Sequence, residues 1–343
     1  MNESPIEEIV LAIMIELEGF AYNFGYRAMW KHIRKVYGLT VKQKTVMKLL
    51  KLIDPVGVEL RSRYKLKRRQ YYVPGPNFLW HVDGHDKLKR FGFAIYGCID
   101  GFSRKLIWVD VGSTNNDPKI IGYQYLKAIE KFEFLPTLIR ADKGTEATIM
   151  ENMQIALRYN HEDEFAGQNS FHRGKSTSNQ RIESYWRQFR QHLCDFYIGL
   201  FKRMEYDNLI DINNPVQIEC LRYCFGHLIK EEVALTRKEW NEHRIRKQNA
   251  RDILGGIPNE LFHMPQKFDA IDHKKEVCKD DIQILLNAEF TTEPTLYSRE
   301  IKNLVNLLGF NKTCSTAEEA FNMYFEITSI IKAQIEVLNT IYD

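Results

Sequence analysis

Three carboxylates stand where they can act together on one ion. Asp83 closes a stretch of alternating apolar residues, Asp142 closes a second such stretch, and Glu183 lies in the first turns of a long helical pattern. Fifty-eight residues separate the first two acids and forty the last two. Carboxylate oxygens are the ligands that hard cations such as Mg²⁺ accept. Two such ions about 4 Å apart can clamp the attacking and leaving oxygens of a phosphodiester displacement.

Each acid also has a purely structural interpretation. Asp83 and Asp142 are closely followed by glycine, and Asp with Gly is an ordinary turn composition. Glu183 stands four residues before Arg187, the spacing of an exposed helical ion pair. The joint placement of the three acids, rather than any one of them, therefore favours a metal site.

Several other polar residues are weaker candidates. His81 and His85 flank the first acid, where they either contact a substrate or are simply packed. Cys220, Cys224 and His227 follow a helical spacing that a metal could use. No fourth ligand is near them in sequence, and free cysteines are commonly small buried hydrophobes, so we expect no zinc there.

The hydrophobic pattern predicts the elements that must position the acids. The second and third predicted strands are joined at Asp100-Gly101, a strong hairpin signal, which makes Asp100 a turn residue and Asp110 a structural or solvated strand residue. Later strand–helix alternation adds parallel strands by crossover. Strands are predicted over 78–82, 91–99, 105–111 and 137–141, and helices over 117–132, 147–159 and 179–204.

Helical regions flank this α/β segment. Before residue 55 the pattern predicts three helices, the first after a capping box at Ser4 and the second ended by Gly38. The short connection after Gly38 makes a helix-turn-helix plausible. Near the other end, a capping box at Ser315 begins a helix with an apolar stripe from Phe321 to Tyr342. That stripe either pairs two protomers or folds back onto its own chain.

Positive charge is concentrated in one segment. Residues 31–70 contain thirteen Lys and Arg against two acids, a net charge of +11, so the rest of the chain carries −8. This asymmetry suggests nucleic acid as the partner, and the alternative is an ordinary solvated surface. The candidate DNA contacts are Lys42, Lys44, Lys48, Arg61, Arg63, Lys65, Lys67, Arg68 and Arg69, with Lys143, Lys175 and Asn179 near the acids.

Composition excludes several classes of protein. The chain has 343 residues, 44% hydrophobic and 27% charged, as in ordinary globular proteins. Its longest apolar run, 9–15, is far shorter than the roughly 20 residues that span a bilayer, so no membrane partner is expected. Acidic residues near the start argue against a secretory signal. Six scattered cysteines suit reduced thiols in the nucleus or cytoplasm.

Taken as a set, these motifs resemble the catalytic core of retroviral integrases and related DDE transposases. The resemblance is closest to integrase-like transposases of eukaryotic mobile elements, or genes derived from them, and covers about residues 25–265. It implies an α/β, RNase H-like mixed five-stranded sheet flanked by helices. The implied domains are a helix-turn-helix domain over 1–70, the core over 71–265 and a helical tail over 266–343. The segments that carry the resemblance are WHVDG at 80–84, IDGFSR at 99–104, RADKGTE at 140–146, SNQRIE at 178–183, WNEHRIR at 240–246 and GGIPNEL at 255–261.

The resemblance also implies an activity. Asp83 and Asp142 would be the first two metal ligands and Glu183 the third, holding two Mg²⁺ (or Mn²⁺) ions. A polynucleotidyl transferase of this kind nicks DNA and joins the freed 3′-hydroxyl to a target strand. Its partners would be DNA element ends, target DNA and further copies of itself, in the nucleus.

Two features depart from the family pattern. Lys143 stands where many members have Asn, and the gap before Glu183 is longer than in typical retroviral integrases. Neither removes a ligand. The alternatives are a domesticated DNA-binding protein that keeps the fold with weak or no chemistry, and a plain RNase H-like hydrolase, which would need no helix-turn-helix.

The basic segment generates a first prediction. Replacing Arg61, Arg63, Lys65, Lys67, Arg68 and Arg69 with Ala should flatten the dependence of DNA affinity on salt, because fewer counterions are released on binding. Fluorescence anisotropy of a labelled duplex between about 50 and 200 mM salt measures that slope. A slope equal to that of the unchanged chain would show that the segment does not contact DNA.

Overall fold

A computed structural model describes residues 3–63, 71–175, 179–247 and 254–342 of the chain. The chain separates into two compact units, Met1–Tyr71 and Tyr72–Asp343. The first has one hydrophobic core and the second has two. Four of the candidate DNA contacts, Lys65, Lys67, Arg68 and Arg69, lie outside the described residues.

The first unit is a small helical bundle. Its core contains the fully buried side chains of Ile13, Met29, Ile33 and Val46. The three helices expected from the sequence are present, and a fourth follows the third directly. The helices are α1 (Ile6–Leu17), α2 (Tyr26–Val36), α3 (Gln43–Ile53) and α4 (Pro55–Arg63).

Local hydrogen bonds explain two differences from the sequence-based expectation. Ser4 does not cap α1, because its Oγ accepts the N–H of Thr40 and Pro5 takes the N-cap position. Helix α4 was not expected because Asp54-Pro55 ends α3. The Asp54 carboxylate accepts the N–H of Gly57, so the residue that ends one helix also caps the next.

The second unit is built on a five-stranded mixed sheet, which confirms the fold class. Strand order is β3-β2-β1-β4-β5. The pairs β1–β2 and β2–β3 are antiparallel, whereas β1–β4 and β4–β5 are parallel. Strand β5 has only three residues, too few to show a period in the sequence. The strands are β1 (Leu79–His85), β2 (Ala94–Asp100), β3 (Leu106–Gly112), β4 (Leu138–Ala141) and β5 (Phe171–Arg173).

The β2–β3 hairpin is present, but its turn is longer than the two-residue turn that Asp100-Gly101 suggests. The connection spans 101–105 and places Arg104 at a φ of +63°. Asp100 is completely buried and accepts hydrogen bonds from the backbone N–H of Asn77 and from the N–H and Oγ of Ser103. Burial raises the pKa of Asp100 to about 6. This acid therefore organises the turn.

Helices cover both faces of the sheet. Helices α5, α6 and α11 contribute to one core, and α7, α8, α9, α12 and α13 contribute to the other. None of the helices in the described ranges is long and apolar enough to cross a membrane. The helices are α5 (Pro118–Phe132), α6 (Thr148–Leu157), α7 (Gln180–Phe189), α8 (Asp195–Tyr206), α9 (Pro215–Glu242), α10 (Pro258–His263), α11 (Lys279–Asn287), α12 (Arg299–Leu307) and α13 (Ala317–Tyr342).

The long helix expected over 179–204 is interrupted. A π-helical turn, Arg190–Cys194, joins α7 to α8. The wider turn rotates the helix face that follows it. Tyr197 and Met204 of α8 are buried as the apolar period predicts, Phe201 is buried as well, and Phe196 is 58% exposed.

The first half of α13 folds back onto its own chain. Tyr324 and Ile327 are buried in the core that α9 also lines, whereas Ile335 is half exposed. The capping box is one residue later than expected. Thr316 Oγ1 accepts the N–H of Glu319, whose carboxylate accepts the N–H and Oγ of Ser315.

Two substitutions on α13 separate its buried half from its exposed half. Ile327→Ala should lower the free energy of unfolding by about 2 to 5 kcal/mol, because it leaves a cavity in the core. Ile335→Ala, the matched control on the same helix, should change it by no more than about 0.5 kcal/mol. Urea unfolding followed by circular dichroism measures both. Equal losses would mean that both halves of α13 are buried in solution.

Candidate active site

The sheet brings the two predicted aspartates side by side. Strands β1 and β4 are parallel neighbours in which His81 pairs with Arg140. Continuing that register by two residues makes Asp83 level with Asp142. Adjacent strands lie roughly 4.8 Å apart. The first two predicted ligands therefore stand at the same level on neighbouring parallel segments.

The third predicted acid faces them from a helix. Glu183 lies on α7, which packs on β1 and β2. Burial, together with the negative charges of Glu183 and Asp142, raises the pKa of Asp83 to about 7. Loss of solvation and the charge of Asp142 also raise the pKa of Glu183, against the lowering effect of Arg187. The three acids thus form one electrostatic group.

A fourth carboxylate joins this group, and sequence reasoning missed it. Asp83, Asp142 and Glu146 line a cleft of about 250 Å³. The Glu146 carboxylate lies against Gly144, where a Cβ atom would be 2.0 Å from its Oε2. Burial and Asp142 raise the pKa of Glu146. The available signal was its position four residues after Asp142. The other lining residues are Gly84, Asp86, Tyr96, Asn115, Asn116 and Gly144.

The two candidate histidines are packed inside the unit. Nδ1 of His81 lies 2.6 Å from Oδ1 of Asn179, and the ring of His85 stacks on Trp186 with centroids 5.0 Å apart. Burial lowers the pKa of His81 to about 3 and that of His85 to about 4. Both are therefore neutral near pH 7, and their packed positions fit the structural alternative.

The same hydrogen bonds correct one predicted DNA contact. Asn179 is 1% exposed, and its Nδ2 donates to the carbonyl oxygen of Val82 at 2.7 Å. Its side chain is directed into the protein and is not available to a phosphate. It also makes no side-chain cap for α7. Lys143 and Lys175, by contrast, are exposed.

The candidate DNA contacts of the first unit divide in a similar way. Lys42, Lys44 and Lys48 are exposed on or next to α3. Arg61 instead pairs with Asp54 at 2.9 Å and donates to the carbonyl oxygen of Tyr22. Arg61 therefore has a structural role that the charge pattern did not reveal.

The cysteines of α9 have an equally plain explanation. Cys220 and Cys224 are buried in the hydrophobic core, while His227 is exposed and lies 3.1 Å from Glu231. Burial raises the pKa of both thiols. These two side chains act as small core residues.

The donor chemistry of the cleft fits a hard divalent cation. All its charged side chains are carboxylates, and the buried Oδ1 of Asn115 has no hydrogen-bond partner within the described residues. In the parts of the chain that the structure describes, no three acidic, histidine or cysteine side chains converge closely enough to enclose an ion as they stand. Binding an ion would therefore draw the carboxylates together.

Comparison with known proteins agrees with this geometry. The family model of the integrase core domain matches residues 70–269, which is more than half of the chain. The mixed five-stranded sheet, in the order β3-β2-β1-β4-β5, is that of an RNase H-like integrase core. The chain belongs to the integrase core domain family. No curated protein matches it significantly.

The raised pKa of Asp83 predicts a pH-dependent stability. The folded chain binds this proton more tightly than the unfolded chain does, so the resulting stabilisation is complete below about pH 4 and is lost as pH rises through about 7. Asp83→Asn stays neutral throughout. Without metal, its melting temperature should exceed that of the unchanged chain by roughly 3 to 6 °C at about pH 8, with little difference near pH 4.

Asp110→Asn is the control for this measurement, because Asp110 is an acid of the same sheet that pairs with Lys230. The difference in melting temperature between Asp110→Asn and the unchanged chain should not grow between the two pH values as the difference for Asp83→Asn does. Scanning calorimetry in the presence of a chelator measures all three proteins. A constant difference for Asp83→Asn would contradict the raised pKa.

Proposed function

We propose that this chain is a metal-dependent polynucleotidyl transferase of the integrase and transposase kind. It cleaves a DNA strand and joins the freed 3′-hydroxyl to a target phosphodiester. One observation supports this most directly. Within an integrase core, the register of β1 and β4 brings Asp142, the residue after β4, level with Asp83. Burial and the charge of Glu183 raise the pKa of Asp83, and burial and the charge of Asp142 raise the pKa of Glu183, so the three acids act as one group.

In this proposal Asp83, Asp142 and Glu183 hold Mg²⁺ (or Mn²⁺), two ions per site. When bound, the ions would neutralise charge on the reacting phosphodiester. In phosphoryl transfer the protein mainly positions the reactants and neutralises charge. Asp83 must lose its proton before it can ligate, and its raised pKa makes that step pH-dependent near neutrality. Glu146 adds a carboxylate at the cleft that Asp83 and Asp142 line, whereas Glu183 lies outside the lining of that cleft.

DNA would reach this site along exposed basic residues. Lys143 directly follows Asp142, and Lys175 precedes α7, so both lie near the acids and both are exposed. The exposed lysines of the first unit, Lys42, Lys44 and Lys48, would also contact DNA, as a helix-turn-helix does. Joining two DNA ends would require more than one copy of the chain, acting in the nucleus.

A second candidate function shares this fold. A domesticated DNA-binding protein would keep the sheet and the basic residues with weak or no chemistry. The open arrangement of the acids favours it, since no three potential ligands among the described residues enclose an ion as they stand. The two candidates differ in what metal does. The transferase needs it for turnover, whereas the binding protein does not respond to it.

Substitution of the acids tests the proposal. Asp83→Asn, Asp142→Asn and Glu183→Gln should each reduce strand nicking and joining by roughly a hundredfold or more, because charge stabilisation of several kcal/mol is lost. DNA affinity should stay within about twofold, since these acids would hold metal and not phosphate. Nicking of supercoiled plasmid in Mg²⁺ or Mn²⁺, and joining of labelled duplex ends to it, measure activity without a known recognition sequence.

Asp110→Asn is the matched control, a carboxylate of the same sheet that faces Lys230 and should keep full activity. If one of the three variants nicks and joins DNA at the unchanged rate, that residue does not belong to the site. If the unchanged chain binds DNA and shows no metal-dependent nicking, the domesticated binding protein is the correct function.

A further inference from the structure

Trp186 links the hydrophobic core of the second unit to an acid of the candidate site through one hydrogen bond. We propose that Trp186 is a positioning residue, which orients the Asp83 carboxylate through its indole N–H and fixes the helix that carries Glu183 against β1. The proposal rests on the proposed function, because it assigns Trp186 to that same site. The residue lies on α7 three positions after Glu183, close to one helical turn further on.

The hydrogen bond is direct. Nε1 of Trp186 lies 3.1 Å from Oδ2 of Asp83, and Trp186 is 4% exposed. An indole can only donate a hydrogen bond, so a buried tryptophan needs an acceptor. Here the acceptor is the carboxylate at the centre of the acidic group. Donation to one oxygen fixes the orientation of that carboxylate and leaves its other oxygen turned elsewhere.

The sheet makes room for the indole at one position. Gly97 on β2 pairs directly with Asp83 on β1. A Cβ atom at Gly97 would lie 2.9 Å from Cη2 of Trp186, a distance that real Cβ contacts do not show. It would also lie 3.2 Å from Cγ2 of Val109, so the neighbouring strand leaves little room to move. The absence of a side chain directly opposite Asp83 therefore lets the ring approach it.

The ring is also held laterally. Trp186 stacks on His85 at an interplanar angle of 27°, and its centroid lies 5.5 Å from that of Phe189. At the start of α7, Asn179 bonds to His81 and to the carbonyl oxygen of Val82. The contacts of Asn179 and of Trp186 lie on either side of Glu183 along the chain. Together they fix both the height and the rotation of α7 over β1.

This arrangement has a clear purpose at a metal site. Carboxylates that must act together have to be held within about 0.5 Å of a productive geometry. Asp83 and Glu183 come from different elements, and the indole of Trp186 connects the two. An exchange of the indole for a benzene ring would keep most of the packing and lose the bond to Asp83.

Trp240 supplies the matched control. Its Nε1 donates to the carbonyl oxygen of Arg104 at 2.7 Å, and its ring contacts Tyr185 in the same core. Trp240→Phe therefore also removes one indole hydrogen bond from the same core, but not one to an acid. Gly97→Ala keeps the Trp186 side chain but displaces its ring. Gly199→Ala is the control for that change, because nothing lies within 4 Å of the added Cβ.

The first measurement needs no activity. In an amide-type ¹H–¹⁵N spectrum, the indole signal of Trp186 is identified by its loss in Trp186→Phe. Asp83→Asn should shift that signal and leave the Trp240 signal in place, because Trp186 donates to Asp83 and Trp240 does not. A Trp186 signal that stays at the same shift in Asp83→Asn would overturn the proposal.

The second measurement separates positioning from packing. Affinity for Mn²⁺ alone, by calorimetry, should fall about 10- to 100-fold in Trp186→Phe and in Gly97→Ala, the range seen for residues that orient metal ligands. Trp240→Phe and Gly199→Ala should bind Mn²⁺ as the unchanged chain does. In plasmid nicking, Trp186→Phe should lower kcat and leave the KM for DNA unchanged. Equal losses of Mn²⁺ affinity in Trp186→Phe and Trp240→Phe would assign Trp186 to packing alone and overturn the proposal.

The two proposals can fail separately. If the unchanged chain shows no nicking, while the indole shift and the selective loss of Mn²⁺ affinity are both observed, the positioning role stands and the transferase function fails. If nicking is observed and Trp186→Phe retains both the Mn²⁺ affinity and kcat, the function stands and the positioning role is wrong.

Discussion

The repulsion among closely placed carboxylates is the constraint on which the rest of the second unit depends. Asp83 is partly removed from water and feels the charges of Glu183 and Asp142, which together raise its pKa to about 7. Such a group is unfavourable in the folded chain until a cation or a proton neutralises it. The surrounding structure must therefore hold these acids in place against their own electrostatics. Hydrogen bonds from Trp186 and from the backbone of Gly84 supply part of that restraint at Asp83.

Sheet pairing supplies the remainder of that restraint. The parallel pairing of β1 and β4 brings Asp83 and Asp142 to one level. The helix α7 is fixed separately, through Asn179 at its start and Trp186 near its end. Side chains alternate between the two faces of a strand. The β1 side chains that contact α7 therefore lie on one face, and the apolar side chains of the other face pack under α5. One seven-residue strand thus carries the candidate ligand Asp83 together with His81 and His85, which contact Asn179 and Trp186.

The sequence was most informative where local pattern decides structure. Alternation and turn residues located strand β1 and the end of β4, and with them Asp83 and Asp142, although β1 continues past Asp83 to His85. Prediction from the sequence failed where tertiary packing decides the structure. Nothing local distinguishes the buried Asn179 from a phosphate contact, and the apolar period runs through the π turn Arg190–Cys194 without a break. Trp186 joins the site only because separate segments meet there, which no local pattern reveals, whereas Glu146 could have been found from its position four residues after Asp142.

The shared core of α7 and α13 has a consequence for the order in which the protein forms during synthesis. Tyr185 of the helix that bears Glu183 and Tyr324 of α13 belong to one hydrophobic cluster, although 139 positions separate them in the chain. Translation proceeds from the N-terminus at about 5 to 20 residues per second, so the first unit is free to fold while the second is still incomplete. The helix that carries Glu183 reaches its full support only after α13 has left the ribosome. A nascent chain thus has an unfinished second unit, and its acids become ordered together only once α13 has joined the core.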